Sequence, residues 1–350
     1  ASRSFSITVQ NDAPSNHFNT VLYTGTNAAQ SISSLNFSPG LVWIKSRSNS
    51  TSHELNDIVR GQVSRLYSNS VDAAGTVANG FVSIDSNGFS LNGAGGGGEV
   101  NGSGRTYVAW NFKAGGAAVA NPDGDINSQV SVNNTLGFSI VSYTGSSTLG
   151  NTIGHGLDSA PDLIICKKTT STANWAVWSS TFSAASETLF LDLTSPSNQY
   201  INRFGTVTST TFQAGSSGGS EVNPSGGGMI AYCFTSKPGF SKVGSYTGNG
   251  STSGPRVQTG FEIAFLMIKS TSSSGTAWNM WDNKRTPYDM LRANASDAEY
   301  AGPGRIQFFA NGFQLLDADA SRNSSGGNYI YLAFAADGST ATPSLANSFA

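Results

Sequence analysis

The sequence predicts an all-β protein, built as tandem antiparallel β-sandwiches of jelly-roll or lectin-like type in units of about 100 residues. Three observations predict it. A motif ending in Tyr-Thr-Gly occurs three times, as Gly137 to Gly145 (GFSIVSYTG), Gly239 to Gly248 (GFSKVGSYTG) and, in worn form, Phe18 to Gly25 (FNTVLYTG). Each copy is followed about twenty residues later by an apolar run closed by lysine, at Leu41 to Lys45, Leu163 to Lys167 and Phe265 to Lys269. The composition agrees: charged residues make up 11%, against roughly 25% in ordinary soluble domains, and 41 glycines punctuate recurrent β-branched and aromatic residues.

In chain order, Ser4 to Val9 alternates Phe5, Ile7 and Val9 with polar residues and reads as a half-buried strand. Asn11 to Ser15 is turn-forming and closes an N-terminal segment, 1–17. The first unit follows, 18–116. Offsets define the repeat. Tyr23 to Tyr143 is 120 residues, while Lys45 to Lys167 and Phe112 to Phe234 are both 122. From the second copy to the third, Tyr143 to Tyr246 is 103, Lys167 to Lys269 is 102 and Phe234 to Phe334 is 100. Near-constant offsets over a whole unit indicate duplication. The first offset is longer by about 20 residues, which places a linker at 117–135, with a turn at Asn121-Pro122-Asp123-Gly124. The second unit is 136–236, the third 237–338, and 339–350 is a C-terminal tail.

The apolar runs closed by lysine are continuous rather than alternating, which suits strands buried on both faces. Tyr107 to Phe112, Met229 to Phe234 and Tyr329 to Phe334 read as the closing strands. Phe81 to Ile84 and Ile306 to Phe309 are amphipathic, each followed by a Gly-Phe turn at Gly88-Phe89 or Gly312-Phe313. Helix signals are poor. Asp57 to Asn69 and Pro287 to Ala295 could each hold a turn or two. Each unit could close its own sandwich, or two units could share a larger one; sequence leaves both open.

Net charge is −2 and no basic run occurs, so a nucleic-acid partner is not expected. No apolar stretch is long enough for a membrane-spanning helix. The chain starts at Ala1 and ends abruptly in Asn347-Ser348-Phe349-Ala350, which suggests a processed protein or part of a longer one. Cys166 and Cys233 are too few for a disulfide framework and are expected to pack as small apolar residues.

Candidate sites are sparse, and no cofactor is expected. Trp175 and Trp178 are three apart, as are Trp278 and Trp281, so in a strand the members of each pair face opposite sides. One of each pair should enter the core. The other should face outward, to stack on a sugar or pack against another subunit. The first unit has His53 and Asn56 at these places. Glu99-Val100-Asn101 and Glu221-Val222-Asn223 recur in glycine-rich loops and read as a turn feature that the third unit lacks. Asp317, Asp319, Ser321 and Asn323 space four oxygen side chains as a weak candidate for a hard cation, but Arg322 interrupts them. His17, His53 and His155 have no ligand spacing. No serine elbow and no clustered carboxylate pair points to a nucleophile or glycosidase. The chain is therefore expected not to be an enzyme.

The second and third units resemble a domain family of unknown function common in marine bacteriophages, above all phages of cyanobacteria. The likeness lies in Gly137 to Gly145, His155-Gly156-Leu157, Ala160 to Lys167, Asn174 to Trp178, Ala231 to Phe234, Pro238 to Ser251, Met267 to Thr271, Trp281 to Arg285, Asn311 to Phe313 and Tyr329 to Ala335. The first unit shares it through HFNTVLYTG, LVWIKSRS, IVRG, RLYSNS and GSGRTYVAWNFKAGG. The resemblance implies a virion structural protein: a tail fibre, appendage or surface decoration with a lectin-like sandwich. Its partners would be other virion proteins, copies of itself and a host surface glycan. A carbohydrate-binding adhesin is the alternative, and a polysaccharide-degrading enzyme the third. The resemblance brings no catalytic residue.

Overall fold

The structure, a computed structural model, describes residues 12–338 except 77–78, 94–98, 185, 199, 216–220, 286–288 and 303–304. The expected strand at Ser4 to Val9 and the C-terminal tail lie outside the described residues. Among the described residues the fold is all-β, with one helical turn, a 3-10 helix at Pro14–Asn16. Among their described residues, the stretches expected to hold helical turns have none. Asp57 to Asn69 instead supplies the strand Ser64–Leu66, and the described part of 287–295 supplies Leu291–Arg292.

Six antiparallel sheets fall into three pairs, each a large sheet and a three-stranded one. In the first unit the large sheet runs, in spatial order, Phe18–Thr24, Thr106–Phe112, Leu41–Ser46, Glu54–Asp57, Ser64–Leu66 and Gly75–Thr76. In the second, the matching strands are Phe138–Thr144, Gly228–Phe234, Leu163–Lys168, Ala176–Ser179, Glu187–Phe190 and Tyr200–Ile201. In the third they are Ser241–Thr247, Asn328–Ala335, Ile263–Ser270, Asn279–Asp282 and Leu291–Arg292. The small sheets also share one order: Gln30–Ile32, Gly88–Leu91, Phe81–Asp85; Thr152–Gly154, Thr211–Ala214, Phe204–Val207; and Arg256–Gln258, Gly312–Leu315, Ile306–Phe309. The segment expected to be a linker is not one. Val119–Asn121 and Ser128–Asn133 form a hairpin that extends the second large sheet beyond Phe138–Thr144. Alternating Val130 and Val132 give it an apolar face to bury.

Each large sheet is buried on both faces. One face packs on its own small sheet, through Val42 and Ile44 with Phe89 in the first unit, Ile164 and Cys166 with Phe212 in the second, and Leu266 and Ile268 with Phe313 in the third. The opposite faces of all three large sheets meet in a single central core, which takes Leu41 and Trp43, Leu163 and Ile165, and Phe265 and Met267. This explains why the strands Leu41–Ser46 and Ile263–Ser270 are buried at every residue. The centre is marked by three counterparts, Phe112, Phe234 and Phe334. Their ring centroids form a triangle with sides of 5.3, 6.1 and 6.3 Å. Cys166 and Cys233 are free and buried inside the second sandwich.

Candidate functional site: the seams between units

The Tyr-Thr-Gly motif does one structural job at three places. The tyrosine hydroxyls of Tyr23, Tyr143 and Tyr246 donate to the carbonyls of Val100, Val222 and Arg322 at 2.7, 2.6 and 2.6 Å. The motif glycine lies against the same loop. A Cβ on Gly25, Gly145 or Gly248 would come within 2.3, 2.1 and 2.3 Å of a loop carbonyl oxygen, so no side chain fits. The next loop residue is a buried asparagine in every unit. Asn101, Asn223 and Asn323 each accept the backbone N–H that follows the motif glycine, from Thr26, Ser146 and Asn249. Each then donates to a carbonyl two residues on, of Ala28, Thr148 and Ser251. Reading Glu-Val-Asn as a feature of two units missed this. The third unit keeps only the asparagine, and the asparagine is the residue that acts. Asn223→Ala is expected to cost about 1–3 kcal/mol, read by denaturant unfolding, because it leaves buried backbone groups unpaired.

The tryptophans correct the sequence reading. Trp175 and Trp278 face the central core, and Trp178 and Trp281 face the interiors of their own sandwiches. The two sides do alternate as expected, but neither is open. Trp175, Trp278 and Trp281 are at most 1% exposed and Trp178 is 9% exposed, so none offers a face to a sugar. Packing against a neighbour does occur, inside one chain. Trp175 Nε1 donates to the carbonyls of Tyr67 and Ser70 in the first unit, at 3.0 and 3.1 Å. Trp278 Nε1 donates to the Phe190 carbonyl in the second, at 2.8 Å. His53, their counterpart, reaches the Arg292 carbonyl in the third through Nε2 at 2.9 Å. Trp43 Nε1 donates to His53 Nδ1, so Nε2 carries the proton and donates. Burial holds the imidazole pKa well below its ordinary value and keeps it neutral. The units thus form a closed ring of N–H donors, first to third to second to first.

Two seams carry a second contact of one design. Asp57 accepts the backbone N–H groups of Val59 and Arg60 on one oxygen. Its other oxygen takes the Arg60 guanidinium at 2.5 Å and the Tyr232 hydroxyl of the second unit at 2.7 Å. Asp282 repeats this with Lys284, Arg285 and, across the seam, Trp110 Nε1 of the first unit at 3.0 Å. Arg285 also pairs with Glu299, which pairs with Arg47 of the first unit, each at 2.8 Å. Between the second and third units the corresponding positions are Ser179, Phe182 and Leu332, and no charge is placed there. The Asp–Arg contact thus closes two seams, and the third has uncharged residues in its place.

Lys45, Lys167 and Lys269 are the penultimate residues of their strands and fully buried. Their ammonium groups donate to the carbonyls of Ser46, Val71 and Ser270, among others. Burial lowers their pKa values to about 8, 8 and 7. Between pH 7 and 9 the unfolded lysines keep protons that the folded ones lose, so stability rises with pH. Above pH 9 the two thiols oppose this gain, because burial raises both thiol pKa values, that of Cys166 to about 12, and unfolded thiols then lose protons first. Urea unfolding is expected to show a gain on the order of 2 kcal/mol from pH 7 to 9, reduced in Lys269→Met.

Each seam opens outward into a groove. The groove between the first and second units has a volume of about 430 Å³ and is lined in part by Arg60, Asn127, Gln129, Ser142, Thr144 and Thr169. The second–third groove, of about 390 Å³, uses the counterparts Ser245, Thr247 and Thr271 with Asn328 and Glu187. The third–first groove, also about 390 Å³, presents Asn19, Leu22, Ser34 and Lys284. Glu187 is held by Ser183 and Ser197. In the loop considered for a cation, Arg322 supplies the positive charge: it pairs with Asp317 and with Asp319, while Asn323 is taken up by backbone. Among the described residues, no group of three or more His, Cys, Asp or Glu side chains could hold a metal ion. No helix there is long and apolar enough to cross a membrane.

A family model described as a domain of unknown function (DUF7483) matches residues 13–337, the whole three-unit body. No curated protein matches the chain.

Proposed function

Because the chain belongs to the DUF7483 domain family, and the match spans all three units as one domain, we propose that it works as one rigid, non-enzymatic block of three tandem copies. We read that block as a virion structural protein: a tail fibre, an appendage or a surface decoration that assembles with other virion proteins and further copies of itself. The observation that carries this reading is where the chemistry is spent. The recurrent motif, the ring N–H donors and the two Asp–Arg pairs all close the seams of a single body. Low charge suits tight packing in an assembly, and the bacteriophage-like wording of the three units supplies the context.

The test is mass spectrometry of gradient-banded particles from a lysate of the host that carries the gene. The chain is expected in the particle band at stoichiometric level. Recovery only in the particle-free fraction would overturn the reading. Assays of the purified chain on surface polysaccharides are expected to show no depolymerisation.

A further inference from the structure

We propose that the groove between the first and second units is a binding site for a neutral saccharide. The inference goes beyond the virion reading and does not depend on it. The groove's volume of about 430 Å³ lies in the range of small-ligand sites. Among the described residues, the side chains of Asn127, Gln129, Ser142, Thr144 and Thr169 line it without a hydrogen-bond partner in the protein. Amides and hydroxyls both donate and accept, which is the chemistry that sugar hydroxyls present in return.

The other two seams act as internal controls. In the second–third groove the counterparts of Thr144 and Thr169 are already engaged. Thr247 donates to the Asn328 side chain at 3.3 Å and Thr271 to the Asn328 carbonyl at 3.2 Å. Where that unit has Asn328, the second unit has Gly228, so no side chain reaches the Thr144 hydroxyl. Asn127 and Gln129 come from the hairpin segment that, among the described residues, only the second unit has, and they add two amides to one wall. The third–first groove has Leu22 and Lys284 instead.

The charge on the lining selects a neutral ligand. Arg60 is the one charged residue of this lining. Its guanidinium is held by Asp57, the Leu55 and Ser64 carbonyls and the Tyr232 hydroxyl, and is 5% exposed. An acidic sugar gains no free cation there.

The test uses the purified chain on an array of neutral, sialylated and sulphated oligosaccharides. The tightest neutral binder is then titrated by calorimetry. Neutral oligosaccharides are expected to bind in preference to acidic ones. Gln129→Ala, on an exposed strand position, and Gly228→Asn, which restores the residue of the occupied groove, should each weaken binding about fivefold or more. Ser245→Ala in the second–third groove should leave it unchanged. Absence of any neutral binder, preference for acidic sugars, or full affinity in Gln129→Ala would each overturn the proposal. If Gly228→Asn alters the melting temperature, Gln129→Ala decides alone. Saccharide binding by a chain absent from particles would remove the virion reading and leave this one standing.

Discussion

Asp57→Ser is expected to destabilise the protein by about 3–5 kcal/mol, because it strands a buried arginine. Arg60 is 5% exposed and Asp57 is its only carboxylate partner in the described structure. The loss would reach the second unit too, since the Tyr232 hydroxyl donates to the same oxygen. The chain contains its own rescue design. Where the first unit has Asp57 and Arg60, the second has Ser179 and Phe182, and the counterpart of Tyr232 in the third unit is Leu332. The triple change Asp57→Ser, Arg60→Phe, Tyr232→Leu should therefore recover most of what Asp57→Ser loses. Replacing a buried ion pair by packed apolar groups is often neutral. Denaturant unfolding of both variants checks this. A triple variant no more stable than the single one would show that the seams are not interchangeable.

Trp278→Ala is the second large effect, expected at about 3–5 kcal/mol from the cavity it leaves. It also removes the N–H donated to Phe190 across a seam. Trp278→Phe separates the two contributions: it keeps most of the ring and loses the hydrogen bond, and should cost about 1–3 kcal/mol. Because all three large sheets share one central core, heating is expected to give a single transition, with calorimetric and van't Hoff enthalpies equal. Three separate transitions would contradict a shared core.

Much of the fold was legible in the sequence, and the reason is physical. Strands buried on both faces lose the polar alternation of a surface strand, so Leu41 to Lys45 and its counterparts stand out as continuous apolar runs. The all-β class follows from them. What covers the second face was not legible. One of Trp175 and Trp178 was expected to face outward, because nothing local says that Tyr67 and Ser70, over a hundred residues before Trp175, lie on it. The hairpin at 119–133 was read as a linker because it lies in the roughly 20 extra residues of the first offset and carries the turn at Asn121-Pro122-Asp123-Gly124. The Asp57–Arg60 and Asp282–Arg285 pairs share a spacing of three, which by itself drew no reading. Their meaning needed the partner across the seam, and that partner changes from Tyr232 to Trp110. The groove residues gave no signal in sequence, since isolated serines and threonines are everywhere in this chain.

One contact has a mechanical consequence. The Ser15 backbone N–H donates to Asp337 at 2.8 Å, so the described chain enters and leaves the body at the same place. A pull along the polypeptide would be carried across that short span and would not be threaded through the three units. The body would hang beside the line of force like a bead on a loop, its core unloaded until the entrance contact parted. A block built this way keeps its shape under tension at no cost in stiffness along the strand that carries it.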